Sequence, residues 1–255
     1  MKTLVIPDVH QDINWVRRIL DKETDFDELV FLGDYFDDYA PQPFSSAKNV
    51  AKYLHEVAET YDPTFLIGNH DAQYLVFRRS CPQRKYEPTA FERHWMTGGY
   101  SRNRCQDINR HLTTSVTDRL KLAKYTQGFL LTHAGVLDQL WDHVQDVSDL
   151  SGDRTVNRFV DTVNAYTSNL SFYTGSPCFY VGSCRDNVNP GPYPGLLWCD
   201  FDVEFTNTLG VPQIVGHTSG ESPRSKDTAQ PSYCLDAGQT AYGTIVDGQL
   251  TIRFA

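Results

Sequence analysis

Residues 64–73 read TFLIGNHDAQ: a short run suited to a buried strand, then Gly68, then Asn69, His70 and Asp71, three side chains able to bind a metal or move a proton. An apolar strand that stops so abruptly delivers its polar successors to the rim of a sheet, where loops gather. The same arrangement recurs. TLVI runs into Pro7, Asp8, Val9 and His10; ELVFL into Gly33 and Asp34; FLLT into His133; and QIV into Gly216 and His217. Between the early junctions lie stretches with helical spacing: Ile13, Val16 and Leu20, then Ala47, Val50, Ala51, Leu54, Val57, Ala58 and Tyr61. Strand alternating with helix predicts a layered α/β domain.

Towards the C-terminus, SYCLDAGQTAYGTIVDGQLTIRF lacks a helical period and carries Asp247-Gly248 between two strand-like runs, a hairpin signal. Two regions interrupt the alternation. Residues from about 78 to 127 are polar and Arg-rich, and residues 136–195 hold a predicted helix over about 153–170 and the loop GSCRDNVNPGPYPG. Both are expected to be insertions around the mouth of one site, within a single domain of residues 1–255.

Composition narrows the function. The chain has 255 residues, 40% of them hydrophobic, enough for a substantial core. Its net charge of −9 argues against a nucleic-acid partner, because binding phosphates needs a surplus of Lys and Arg on one face. The apolar run before Pro7 is too short for a signal-peptide core or a membrane span, so a cytoplasmic location with no membrane partner is expected. Cys81, Cys105, Cys178, Cys184, Cys199 and Cys234 form no C-x-x-C pair. They are expected to be reduced and separately placed, with no zinc ribbon.

In open α/β sheets, ligands collect where loops leave the carboxyl ends of strands. The residues at those positions are Asp8 and His10, Asp34 and Asp37, Asn69, His70 and Asp71, His133, and His217. Singly, an Asp after a strand forms a turn or caps a helix, and a His beside an apolar run is a structural residue. As a set they point to a metal site, since separate structural needs do not place Asp, Asn or His at all five junctions. Carboxylate, imidazole and amide donors without thiolates suit Mn, Fe or Zn with solvent completing the shell. Two such ions sharing a carboxylate activate water at neutral pH and clamp the oxygens of an in-line displacement at phosphorus. Phosphate ester hydrolysis fits this donor set.

The ordered series D-x-H, G-D-x-x-D, G-N-H-D, H-A-G and G-H-T resembles the calcineurin-like metallophosphoesterases. With the segment GLLWCDFD it also resembles their phosphoprotein phosphatase (Ser/Thr phosphatase-like) branch. The resemblance runs from Asp8 to about Gly238. It implies an α/β/β/α sandwich with two divalent ions, Mn foremost, with Fe, Zn, Ni or Mg also compatible. It implies that Asp8 and His10 bind the first ion, that Asn69, His133 and His217 bind the second, and that Asp34 bridges them. His70 is then the general acid, Asp37 its charged partner, and Asn69 also a substrate contact.

Two departures from the family pattern stand out. After Asp37 the branch continues with Arg-Gly, the Arg gripping the substrate phosphate, whereas Asp38 and Tyr39 follow here. Arg185 is the candidate replacement clamp. Relatives with G-H-x-H have a second His where this chain has Thr218-Ser219, which counts against a DNA nuclease. The implied substrate is a phosphorylated protein or a small phosphoester. The alternatives are a dinucleoside tetraphosphatase-like nucleotide hydrolase and a non-catalytic metal-binding scaffold.

Overall fold

The computed structural model describes residues 1–38, 47–76, 97, 99–147, 156–173, 175–186, 190–227 and 230–255. All five apolar runs form strands: β1 (Lys2–Ile6), β2 (Glu28–Phe31), β3 (Thr64–Leu66), β6 (Phe129–Thr132) and β7 (Gln213–Val215). The other strands are β4 (Leu120–Lys121), β5 (Ala123–Thr126), β8 (Arg224–Asp227), β9 (Pro231–Cys234), β10 (Ala241–Val246) and β11 (Gln249–Phe254). They make two sheets, in the orders β11-β10-β1-β2-β3-β4 and β5-β6-β7-β9-β8.

Side chains alternate between two apolar layers. Along β1, Leu4 and Ile6 join a cluster with Trp15, Val16 and Ile19 of α1 (Ile13–Lys22) and Val50, Leu54 and Val57 of α2 (Ala47–Tyr61). Val5 instead packs between the sheets, with Val30, Leu66, Phe129, Leu131 and Ile214. A strand buried on both faces reads as an unbroken apolar run, which is why TLVI and ELVFL show no alternation. On the far side, α6 (Asp138–Val147) and α7 (Val156–Asn164) pack together through the stacked rings of Trp141 and Phe159, and α7 lies on β5. The result is a layered α/β sandwich, as the resemblance implies.

The pairing directions position the site. β1, β2 and β3 are parallel neighbours, and so are β6, β7 and β9. Six strands thus release their following loops in two parallel sets, where ligand sites form in such sheets. The closing hairpin is as expected: Val246 pairs with Gln249, and Asp247 and Gly248 both have positive φ, 49° and 74°, as a two-residue type I′ turn requires.

Four expectations differ from the structure. The stretch 78–127 contains β4 and β5, edge strands of the two sheets, too short to carry a readable period. Within 153–170, α7 ends at Asn164 and the chain continues as 3₁₀ turns through Tyr173. There the hydroxyls of Thr167 and Ser168 donate to the carbonyls of Asn164 and Ala165, drawing those acceptors out of the helical ladder. Tyr61 is 39% exposed at the end of α2, against the ring of Phe26. Cys105, at 0% exposure, is disulfide-bonded rather than reduced, while Cys178, Cys184, Cys199 and Cys234 are free. Pairing follows from spatial approach of two Cα atoms, which spacing along the chain does not reveal. Tyr39, residues 78–96 with His94 and Trp95, and residues 153–155 of the expected helix lie outside the described residues. Among the described residues no helix is long and apolar enough to cross a membrane.

The passage from one sheet to the other rests on Asn164. Its Oδ1 accepts from the backbone N–H groups of Leu122 (2.8 Å) and Ala123 (3.1 Å), and its Nδ2 donates to the Ala123 carbonyl at 2.9 Å. Leu122 and Ala123 are fully buried. Asn164→Ala leaves two buried donors without a partner, and a loss of about 2–3 kcal/mol is expected. Urea unfolding should show this as a lower midpoint at unchanged slope.

Candidate metal centre

The loops after β1, β2, β3, β6 and β7 bring the predicted residues together. Asp8, His10 and Asp34 form one group whose ligand atoms all lie within 4.8 Å of one another; Asp34, His133 and His217 form a second. Asp34 belongs to both. His10 Nε2 lies 4.0 Å from Asp8 Oδ2 and 3.9 Å from Asp34 Oδ2, and His133 Nε2 lies 3.6 Å from Asp34 Oδ2. Asn69 joins the second group, with its Oδ1 2.9 Å from His133 Nε2 and 3.0 Å from His217 Nδ1.

Backbone conformation aims these side chains. His10, Asp34 and His217 all have positive φ (41°, 52° and 68°), a sparsely populated state for residues with a Cβ. Each is held there by its own N–H: His10 N donates to the Asp34 carbonyl, Asp34 N to Asp71 Oδ2, and His217 N to the Asp8 carboxylate. The glycines of the GNHD and GHT motifs have a steric reason. A Cβ on Gly68 would collide with Asp34 Oδ1, and one on Gly216 with Asp8 Oδ1.

The donor set fits a pair of cations. His133 places Nδ1 2.9 Å from the Leu32 carbonyl, and burial keeps its pKa below the ordinary histidine value. A neutral His133 that donates from Nδ1 turns the Nε2 lone pair toward the amide oxygen of Asn69. In that tautomer two acceptors face each other at 2.9 Å, an arrangement that a shared cation would satisfy. Burial lowers His217 well below its ordinary pKa, with His133 and Arg185 adding to the effect. Burial alone would raise Asp34, but His133, His70, His10 and His217 around it hold it well below the usual carboxylate range. Asp8 is raised by burial, then by the carboxylates of Asp236 and Asp34.

Beside the clusters stands the His70–Asp37 pair. His70 Nδ1 is 3.0 Å from Asp37 Oδ2, and its ring meets the His10 ring edge-on at 5.7 Å. Burial opposes the charge on His70, but Asp34, Asp37 and Asp71 outweigh it and raise its pKa. Asp37 accepts further bonds from Gln73 Nε2 (2.5 Å), Tyr74 Oη (2.6 Å) and Arg104 Nη1. Burial would raise Asp37, but His70 first, then Tyr74 and Arg104, keep its pKa below the ordinary value.

Several residues here escaped the sequence reading. Gln73 and Tyr74 follow the GNHD motif by two and three residues and carry no metal-ligand pattern, and Arg104 lies in the Arg-rich stretch without a motif. Asp71, left unassigned, accepts from the backbone N–H groups of Asp34, Tyr35 and Gly68. Burial and the Asp34 carboxylate push its pKa up to about 8. Asp236 follows the short run Tyr233-Cys234-Leu235 at the end of β9, a sixth junction hidden within the closing β structure. Arg185 stands at the rim, its Nη2 3.1 Å from Asp200 Oδ2.

Comparison with known proteins gives the family. The family model for calcineurin-like phosphoesterases matches residues 1–218. The chain therefore belongs to the calcineurin-like phosphoesterases, metal-dependent phosphoric ester hydrolases. No curated protein matches it in sequence. Among solved structures, the cold-active protein-tyrosine phosphatase of a psychrophilic Shewanella superposes with a TM-score of 0.59 at 16% identity, over 98% of this chain and 80% of that one. A Saccharomyces cerevisiae protein serine/threonine phosphatase with similarity to human phosphatase PP5 gives a TM-score of 0.48 at 14% identity, over 99% of this chain and 79% of that one.

Because Asp34 belongs to both groups, Asp34→Asn is expected to lower the affinity for both ions. The loss should exceed the roughly 10- to 100-fold typical of removing an outer-shell partner. Elemental analysis after exhaustive dialysis is the check; two ions retained per chain would contradict the shared-carboxylate geometry.

Proposed function

We propose that this protein is a dinuclear metal-dependent phosphomonoesterase acting on phosphoserine or phosphothreonine in proteins. The observation that carries the reading is one buried carboxylate, Asp34, common to two ligand groups, with the His70–Asp37 pair alongside. Asp8, His10 and Asp34 hold the first ion; Asp34, Asn69, His133 and His217 hold the second. Divalent ions there, Mn foremost, supply Lewis acidity toward water and the phosphoryl oxygens.

The chain's own residues do the rest. Asp37 accepts from His70 Nδ1, which leaves Nε2 to carry the proton given to the leaving oxygen. A nearby carboxylate stabilises the imidazolium, so the proton is held until charge develops. Asn69 contacts the substrate from the first turn of α3 (Asn69–Val76). Arg185, whose charge reaches His217, supplies the cationic contact to phosphate from the rim. In favour of a protein substrate, the GLLWCDFD segment that resembles the phosphoprotein phosphatases lies at the site, with the Trp198 ring 6.1 Å from that of His217.

His70→Ala should retain both metals and slow turnover by roughly 10²- to 10⁴-fold on a phosphopeptide. An aryl phosphate with a good leaving group should lose much less, since it needs little protonation. Equal losses on both substrates would remove the general-acid role.

Arg185→Ala should leave metal content intact, raise KM and weaken inhibition by inorganic phosphate. Lys should restore the parent behaviour only in part, because a point charge does not reproduce bidentate geometry. Unchanged phosphate inhibition would return Arg185 to a structural partner of Asp200.

A further inference from the structure

β9 runs parallel to β7 and releases Asp236 beside the loop that follows β7. Leu235 N donates to the Val215 carbonyl at 2.9 Å and Gly220 N to the Asp236 carbonyl at 3.2 Å, so the Asp236 loop is tied to the His217 loop. Asp236 is 2% exposed. Its Oδ1 accepts from Gly238 N at 3.3 Å, while Oδ2 is buried without a hydrogen-bond partner among the described residues.

The hydrogen bonds around it show where this carboxylate lies. His217 N, on the loop to which Asp236 is tied, donates to the Asp8 carboxylate, and Gln239 Nε2, three residues after Asp236, donates to the Asp8 carbonyl at 3.3 Å. Yet Asp236 does not join the 4.8 Å group of Asp8, His10 and Asp34. It lies beside that group and outside direct ligation of the same point. Buried carboxylates gathered in this way repel one another unless a cation sits among them.

The two ligand groups are also unequal. Four residues surround the second position, Asp34, Asn69, His133 and His217, against three at the first. An ion at the first position therefore takes more of its ligands from solvent, and solvent on a divalent cation is a strong donor that needs an acceptor. Asp236 Oδ2 is an unused acceptor beside it.

We propose that Asp236 is the outer carboxylate of the Asp8–His10–Asp34 position. It accepts hydrogen bonds from the solvent that completes the ion's shell, and it adds the negative charge that lets this three-residue position retain a divalent cation. The inference rests on the two-ion reading above. It separates the positions: Asp236 governs occupancy of the first and leaves the second unaffected.

The test is a titration of the metal-free full chain with Mn²⁺, followed by calorimetry and by electron paramagnetic resonance, for the parent and for Asp236→Asn and Asp236→Glu. The parent is expected to bind two ions. Asp236→Asn should bind one with parent affinity and the other about 10- to 100-fold more weakly, losing the spin-coupled signal of the pair at two equivalents. Asp236→Glu, which keeps charge and acceptor, should recover most of the lost affinity. Metal-free Asp236→Asn should melt no lower than the metal-free parent, because the charge it loses had no partner. Two ions bound by Asp236→Asn at parent affinities would overturn the proposal, as would a lower melting temperature of the metal-free variant with unchanged metal binding. A parent that itself binds fewer than two ions would overturn the two-ion reading first, and this inference with it.

Discussion

Asp71 accepts three backbone N–H groups, those of Gly68, Asp34 and Tyr35, and through them joins the loop after β2 to the loop after β3. As the third residue of α3 it bonds back to the residue before the helix, half of a capping box, with its other bonds spent on the neighbouring loop. The tie runs in both directions, since Asp34 Oδ1 accepts from His70 N at 2.9 Å. Asp34, Asp37, Asn69 and His70 all lie on these two loops. The shared ligand, one donor of the second group and both members of the dyad therefore depend on one interlock. Glycine at 33 and 68 allows it, because a Cβ on Gly33 would meet the backbone of Gly68.

Charge is distributed around this interlock without symmetry. Burial would raise Asp34 but the imidazoles around it lower it, whereas burial, and after it neighbouring carboxylates, raises Asp8 and Asp236. In a dry pocket such groups cannot all carry charge unless opposite charge is supplied. The resulting imbalance is the electrostatic signature of a cation-binding site, and it is steepest on the Asp8 side. Folding bears the cost of burying these carboxylates, and metal binding offsets it.

The dyad depends on chain remote from its motif. Asp37 is held by Tyr74 and Gln73 from α3 and by Arg104 from α4 (Arg102–His111), so a helix of the Arg-rich region reaches the His70–Asp37 pair directly. Gly99, before α4, lies so close that a Cβ there would touch the Asp37 carboxylate, and its carbonyl accepts from Arg104 Nη1 at 2.8 Å. A guanidinium thus stands on Asp37 in space, although the residue after Asp37 in sequence is Asp38. The sequence departure is real, but the structure shows that the cation-poor motif does not leave Asp37 without a cation.

The apolar runs and their polar successors were legible from the chain alone because both signals are local. A strand buried on both faces needs an unbroken apolar run, and a ligand at a strand end needs to follow it by only a few residues; this is why Asp8, His10, Asp34, Asn69, His70, His133 and His217 could be named. The hairpin at Asp247-Gly248 was legible for the same reason, since its two positive φ values suit that dipeptide. What lay beyond local reading were the partnerships. The bonds from Arg104 to Asp37, from Asn164 to the sheet crossing and from Asp71 to Asp34, the pairing of Cys105, and the approach of Asp236 to Asp8 all join residues distant in sequence. Hydrogen bonds and Coulomb forces act over a few ångströms in space whatever the separation along the chain, so only the packing of the two sheets decided which of these side chains would meet.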